Sequence, residues 1–106
     1  MFELEMDNHA EPGRVRIFLQ GEIDISTAPE FKSKLYDIVG DGENDIALYC
    51  DGLSYIDSTG LGILVGALKR VKNHQKSVYI YQLRENILKL FRITGLDKVF
   101  VLEESV

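Results

Sequence analysis

Two hydrophobic rhythms alternate along this chain, and their order leaves few folds open. Apolar residues at every second position mark strands, and apolar residues three and four apart mark helices. FELEM (2–6) and RVRIFLQGEI (14–23) have the first rhythm, with Val15, Ile17 and Leu19 set against Arg14, Arg16 and Gln20. Glu11-Pro12-Gly13 between them is a turn signal, so the two strands are expected to form a hairpin. Phe31, Leu35, Ile38 and Val39 then recur at helical spacing. DIALYCD (45–51) is a compact apolar strand, expected at a central position covered by helices. Leu61, Leu64, Val65, Leu68 and Val71 form the stripe of a second helix. SVYIYQL (77–83) is a strand. Ile87, Leu90, Phe91 and Ile93 point inward from a third helix, and KVFVLEE (98–104) is a last strand. The predicted order is β-β-α-β-α-β-α-β. It implies an α/β fold with a mixed, largely parallel sheet, an N-terminal antiparallel hairpin strand and right-handed crossovers.

The helix ends are marked too. Thr27 and Glu30 make a T-x-x-E capping box with Pro29 in the first turn, and Gly-Asp-Gly (40–42) ends the first helix. Lys69, Arg70 and Lys72 suit the C-terminal end of the second helix, and Gly95 stops the third.

At 106 residues the chain is expected to be one domain, residues 1–106, with a core that needs no staples. A net charge of −5 argues against nucleic acid and against an anionic membrane surface as partners. The single cysteine, Cys50, permits no intrachain disulfide and reads as a small core residue, which suits a reducing compartment. The N-terminal stretch has no signal-peptide pattern, and no apolar run is long enough to span a bilayer. A cytoplasmic protein is the expectation.

In sheets of this kind function gathers in loops at the carboxyl ends of strands. Two such loops are GEIDIST (21–27) and SYIDSTG (54–60), each with an aspartate and hydroxyls just before a helix. Ser58 has two readings. It is a helix N-cap, or it is a serine left open at a helix start, where free N–H groups can receive a phosphate. Capping does not explain Gly60 and Gly62, since each glycine weakens a helix by up to about 1 kcal/mol. Gly66, one turn beyond Gly62, suits close packing, whereas Gly60 would leave Ser58 uncovered.

Enzyme readings fare poorly. Ser58 lacks the G-x-S-x-G elbow, and a helix from Ser58 to His74 is about 24 Å long, so His74 cannot serve it as a base. His9 lies near the N-terminal turn. Neither G-x-x-x-x-G-K-[ST] nor G-x-G-x-x-G is present. Asp24, Asp51 and Asp57 have no histidine or cysteine cluster with them. No catalytic residue, metal or cofactor is expected.

GEIDISTAPEF (21–31), YIDSTGLGIL (55–64) and ILKLFRITGLDKVF (87–100), in this order, resemble the anti-sigma factor antagonists, single STAS domains of bacterial partner-switching pathways. The most specific element is D-S-[ST]-G-[LI]-G, present as Asp57, Ser58, Thr59, Gly60, Leu61 and Gly62. The resemblance implies a regulator of transcription and not an enzyme. The serine matching Ser58 is phosphorylated by an anti-sigma factor that is also a serine kinase. The unphosphorylated form binds that factor and releases a sigma factor, and a PP2C-type phosphatase restores the serine. The aspartate matching Asp24 lies beside the site and Asp57 flanks it. From these positions Asp24 is expected to orient the serine hydroxyl or help hold the kinase's magnesium. A STAS scaffold or transport-accessory domain that is never phosphorylated is the alternative. Many family members continue into a further helix after the last strand, where this sequence stops at VLEESV. The partner is expected across the two acidic loops and the face of the second helix opposite its core stripe, where Ile63, Ala67 and Arg70 fall.

Overall fold

In a computed structural model the described residues are 1–11 and 13–103, with side chains described outside 8–11. Pro12 of the predicted turn, the side chain of His9 and residues 104–106 lie outside them. Among the described residues the elements run β1 (Phe2–Glu11), β2 (Arg14–Ile23), α1 (Ala28–Val39), β3 (Asp45–Ile56), α2 (Ser58–Lys72), β4 (Val78–Tyr81), α3 (Glu85–Thr94) and β5 (Val101–Glu103), with a 3-10 turn at Leu96–Lys98 before β5. This is the predicted order.

The sheet order is β1-β2-β3-β4-β5. β1 pairs antiparallel with β2, and all later pairs are parallel. Each crossover therefore steps one strand in the same direction, and right-handed connections of that kind put α1, α2 and α3 on one face. The burial pattern follows. Val15, Ile17, Leu19, Ile46, Leu48, Cys50, Val78 and Ile80 point into the core beside Phe31, Leu35, Leu64, Leu68, Ile87 and Phe91.

Among the described residues the opposite face carries no helix, so β3 is central but covered by helices on one side only. Its apolar run has a second cause. Phe18, Tyr49 and Tyr81 sit side by side across three strands, with ring centroids 4.9 and 4.7 Å apart. Arg14 lies over Tyr79, and Arg16 pairs with Asp7 at 2.6 Å. Cross-strand aromatic pairs of this kind stabilise a sheet. On this face Ala47, between its register partners Arg16 and Tyr79, is also shut off from water.

Three local expectations change. Thr27 precedes α1 but forms no capping box: its Oγ1 donates to the Glu22 carbonyl at 2.8 Å and accepts from the Asp24 N–H at 2.9 Å. Ile93 is 79% exposed, because α3 turns only Ile87 and Phe91 fully inward. Lys98 belongs to the 3-10 turn, which lets Phe100 pack edge-on to Phe91 before β5 starts.

Candidate functional site

The register of β2 on β3 builds the site. Ile23 lies opposite Ile56, and the Asp57 N–H donates to the Ile23 carbonyl at 3.2 Å. The next residues of each strand, Asp24 and Asp57, therefore open two loops side by side at the carboxyl edge of the sheet.

Asp57 is the N-cap of α2. It has extended backbone, and its Oδ1 accepts from the N–H groups of Thr59 at 3.0 Å and Gly60 at 3.2 Å. Aspartate satisfies orphan donors at a helix start as well as serine does. Ser58 is thereby released from capping. It is the first helical residue, exposed, and among the described residues its hydroxyl has no hydrogen-bond partner. Thr59 beside it is exposed too.

The three glycines of α2 separate by steric demand. A Cβ at Gly60 would lie 2.6 Å from Ile56 Cγ1 and 2.7 Å from Ile23 Cγ2, so Gly60 is bare because the helix start sits directly on the strand ends. That is a packing role, not the uncovering of Ser58. Gly66 is bare because the Tyr36 hydroxyl presses on it. Gly62 is exposed, and a Cβ there would meet nothing within 4 Å.

Among the described residues no hydrogen bond joins Asp24 to Ser58. The Asp24 Oδ1 accepts from Ser26 N at 2.9 Å, Ser26 Oγ at 2.7 Å and Thr27 N at 3.1 Å, closing a turn within its own loop. The Ser26 hydroxyl, then the Thr27 and Ser26 N–H groups, hold its carboxyl below the ordinary aspartate range. It is therefore a charged loop organiser. Asp51 stands apart on the exposed side of β3, where its carbonyl accepts from Arg84. Among the described residues no three histidine, cysteine or acidic side chains converge as metal ligands.

The expected free face of α2 is not free. Ile63 is 8% exposed and Ala67 3%. The Tyr36 hydroxyl donates to the Ile63 carbonyl at 2.9 Å, and Arg70 lies 4.3 Å over the Tyr36 ring while donating to the Gly40 carbonyl. The cause is α1, which crosses this face closely because Gly66 and Ala67 are small. The open face of α2 runs instead through Ser58, Thr59, Gly62 and Lys69. Two residues passed over in the sequence stand at the same edge. Ile25, between Asp24 and Ser26, is 79% exposed, and Tyr55 is 47% exposed. A large aliphatic residue between an aspartate and a serine, just past a strand end, was the signal.

The STAS domain family model matches residues 5–106, and the chain belongs to that family. It is 40% identical over 85 residues to the anti-sigma-B factor antagonist of Staphylococcus aureus, covering 80% of this chain and 79% of that one. Among solved structures it resembles an anti-sigma factor antagonist from Mycobacterium paratuberculosis, with TM-score 0.84 and 22% identity over 96% of this chain and 85% of that one. It also resembles the Bacillus cell fate determinant SpoIIAA in its phosphorylated form, with TM-score 0.73 and 22% identity over 100% of this chain and 92% of that one. The family is one of regulatory binding proteins, not enzymes.

Proposed function

We propose that this chain is an anti-sigma factor antagonist whose binding is switched off by phosphorylation of Ser58. The observation that carries the reading is the division of labour at the start of α2. Asp57 satisfies the helix N–H groups, so the Ser58 hydroxyl is exposed and unspent. The curated relative at 40% identity is named an anti-sigma-B factor antagonist, which supports the same reading. The partner is an anti-sigma factor with serine kinase activity, and a PP2C-type phosphatase reverses the modification. Both act in the cytoplasm.

The chemistry is a phosphoryl transfer supplied by the partner. Ser58 Oγ attacks the γ-phosphorus of ATP, a base on the kinase takes the hydroxyl proton, and ADP leaves. The product carries about −1.5 to −2 charge at neutral pH. Within the domain two effects oppose one another. The positive end of the α2 dipole favours the phosphate by roughly 0.3–1 kcal/mol, and Asp57 repels it by a comparable amount in water. Asp57 also already occupies the Thr59 and Gly60 N–H groups. The fold is thus little changed by the modification. SpoIIAA, of the same fold, has been solved in both phosphorylated and unphosphorylated forms, and this chain matches each with TM-score 0.73.

An interface is different. Burying the phosphate beside Asp57 without a cationic counterpart costs several kcal/mol. Incubation with the cognate anti-sigma kinase and ATP, followed by intact mass and peptide mapping, is expected to give one phosphoryl group on Ser58 and none on Ser58→Ala. Phosphorylation should weaken anti-sigma binding by about tenfold or more. Ser58→Asp should weaken it less, and Ser58→Ala should bind constitutively. A wild-type chain that binds the factor but is never phosphorylated would favour the unmodified scaffold reading. A phosphorylated chain that binds undiminished would overturn the switch.

A further inference from the structure

Ile25 is an apolar side chain held out into water by a loop closed on itself by hydrogen bonds. Asp24 Oδ1 accepts from Ser26 N, Ser26 Oγ and Thr27 N. Thr27 Oγ1 ties the loop to Glu22 and Asp24, and the Ala28 N–H closes on the Asp24 carbonyl at 2.8 Å. The residue inside this closed turn is 79% exposed. One exposed isoleucine is ordinary on a protein surface. This one is preorganised, so seating it in a partner costs little ordering entropy. It also stands two residues past Ile23, while Ser58 stands two residues past Ile56, and Ile23 and Ile56 are register partners. Tyr55, paired with Glu22, adds a half-exposed ring at the same edge. Gly62, one turn along α2 from Ser58, offers backbone with open space above it.

We infer that Ile25 is the anchor of the switch interface: the anti-sigma factor receives it in an apolar socket with a basic rim facing Asp24 and Asp57. The occupant follows from the page. The surface around the anchor bears two carboxylates, which a basic rim complements, and it is continuous with Ser58, the residue whose phosphorylation must disturb docking. This inference rests on the function proposed above and adds the partner's chemistry and the residue that anchors it. Asp24 becomes a positioning residue that acts through Ile25 and not through Ser58.

The test is calorimetric titration of the unphosphorylated chain with the purified anti-sigma factor of the same organism, using wild type, Ile25→Ser and Ile25→Val. Melting temperature and elution volume are recorded for each. Removing an anchor that becomes fully buried in the complex should weaken binding by about tenfold or more, while Ile25→Val stays within about threefold. All three chains should melt alike, because the residue touches little in the free protein. Ile25→Ser binding within about twofold of wild type overturns the inference. So does a variant that changes the oligomeric state but not the partner affinity, for then the socket belongs to a second copy. A wild-type chain with no affinity for the factor would instead bring down the proposed function itself, and the anchor with it.

Discussion

A methyl group added at Gly60 would run into Ile56 and Ile23, while one added at Gly62 would meet open space. The two positions should therefore respond oppositely to alanine. Gly60→Ala overpacks the seam between helix start and strand ends and should cost about 1–3 kcal/mol. Gly62→Ala removes an exposed glycine from a helix and should add about 0.5–1 kcal/mol, raising the melting temperature by about 2–8 °C. The gain has a counterpart if Gly62 is bare so that a partner can approach the backbone. The same variant should bind the anti-sigma factor more weakly or be phosphorylated more slowly. Scanning calorimetry beside a kinase assay reads both. Higher stability with unchanged binding and phosphorylation would leave Gly62 without any role at the interface.

At the scale of elements, the seam between α1 and α2 decides the fate of Ile63. It is buried where Tyr36 reaches the Ile63 carbonyl and Arg70 covers the Tyr36 ring. Ile63→Glu would bury a carboxylate in this packed seam and should unfold the chain or lower its melting temperature severely. Ile63→Val should cost only about 0.5–1.5 kcal/mol and leave partner binding intact. Circular dichroism on heating checks both, and a Glu variant that melts like wild type would show that the seam opens.

This seam also marks where the sequence stopped being legible. The α2 stripe of Leu61, Leu64, Leu68 and Val71 was readable from helical spacing, because it meets a sheet. The second apolar face, Ile63 and Ala67, was not, because no periodicity within α2 says that α1 will cover it. The cue lay in small residues, Gly66 and Ala67. Element order and the position of the Ser58 loop were legible because they depend on local rhythm and on topology. The division of capping between Asp57 and Ser58 was not, since both side chains are competent caps and only the backbone geometry chooses. Thr27 illustrates the same limit. It has the residue type of a cap, but the Glu22 carbonyl and the Asp24 N–H take its hydroxyl.

For the molecule as a whole, crossovers that all step one way give two unlike faces. One is packed by helices, and the other is closed by the stacked Phe18, Tyr49 and Tyr81. The switch loops sit at the sheet's edge, where a new charge can meet solvent or a partner without passing through the core. Cys50 lies at the other extreme, in the central strand, 2% exposed, its thiol pushed up to about 12 by burial and by Asp51. Only the thiolate attacks alkylating reagents. Closed molecules are therefore protected twice, by inaccessibility and by protonation. Each molecule carries a chemical stopwatch that runs only while it is open. Its labelling rate should fall below that of a free thiol by about a thousandfold or more, tracking the population of opened chains. If phosphate on Ser58 leaves the core undisturbed, modified and unmodified chains should be labelled at the same rate, and phosphorylated chains that label many times faster would mean that the switch reaches the core.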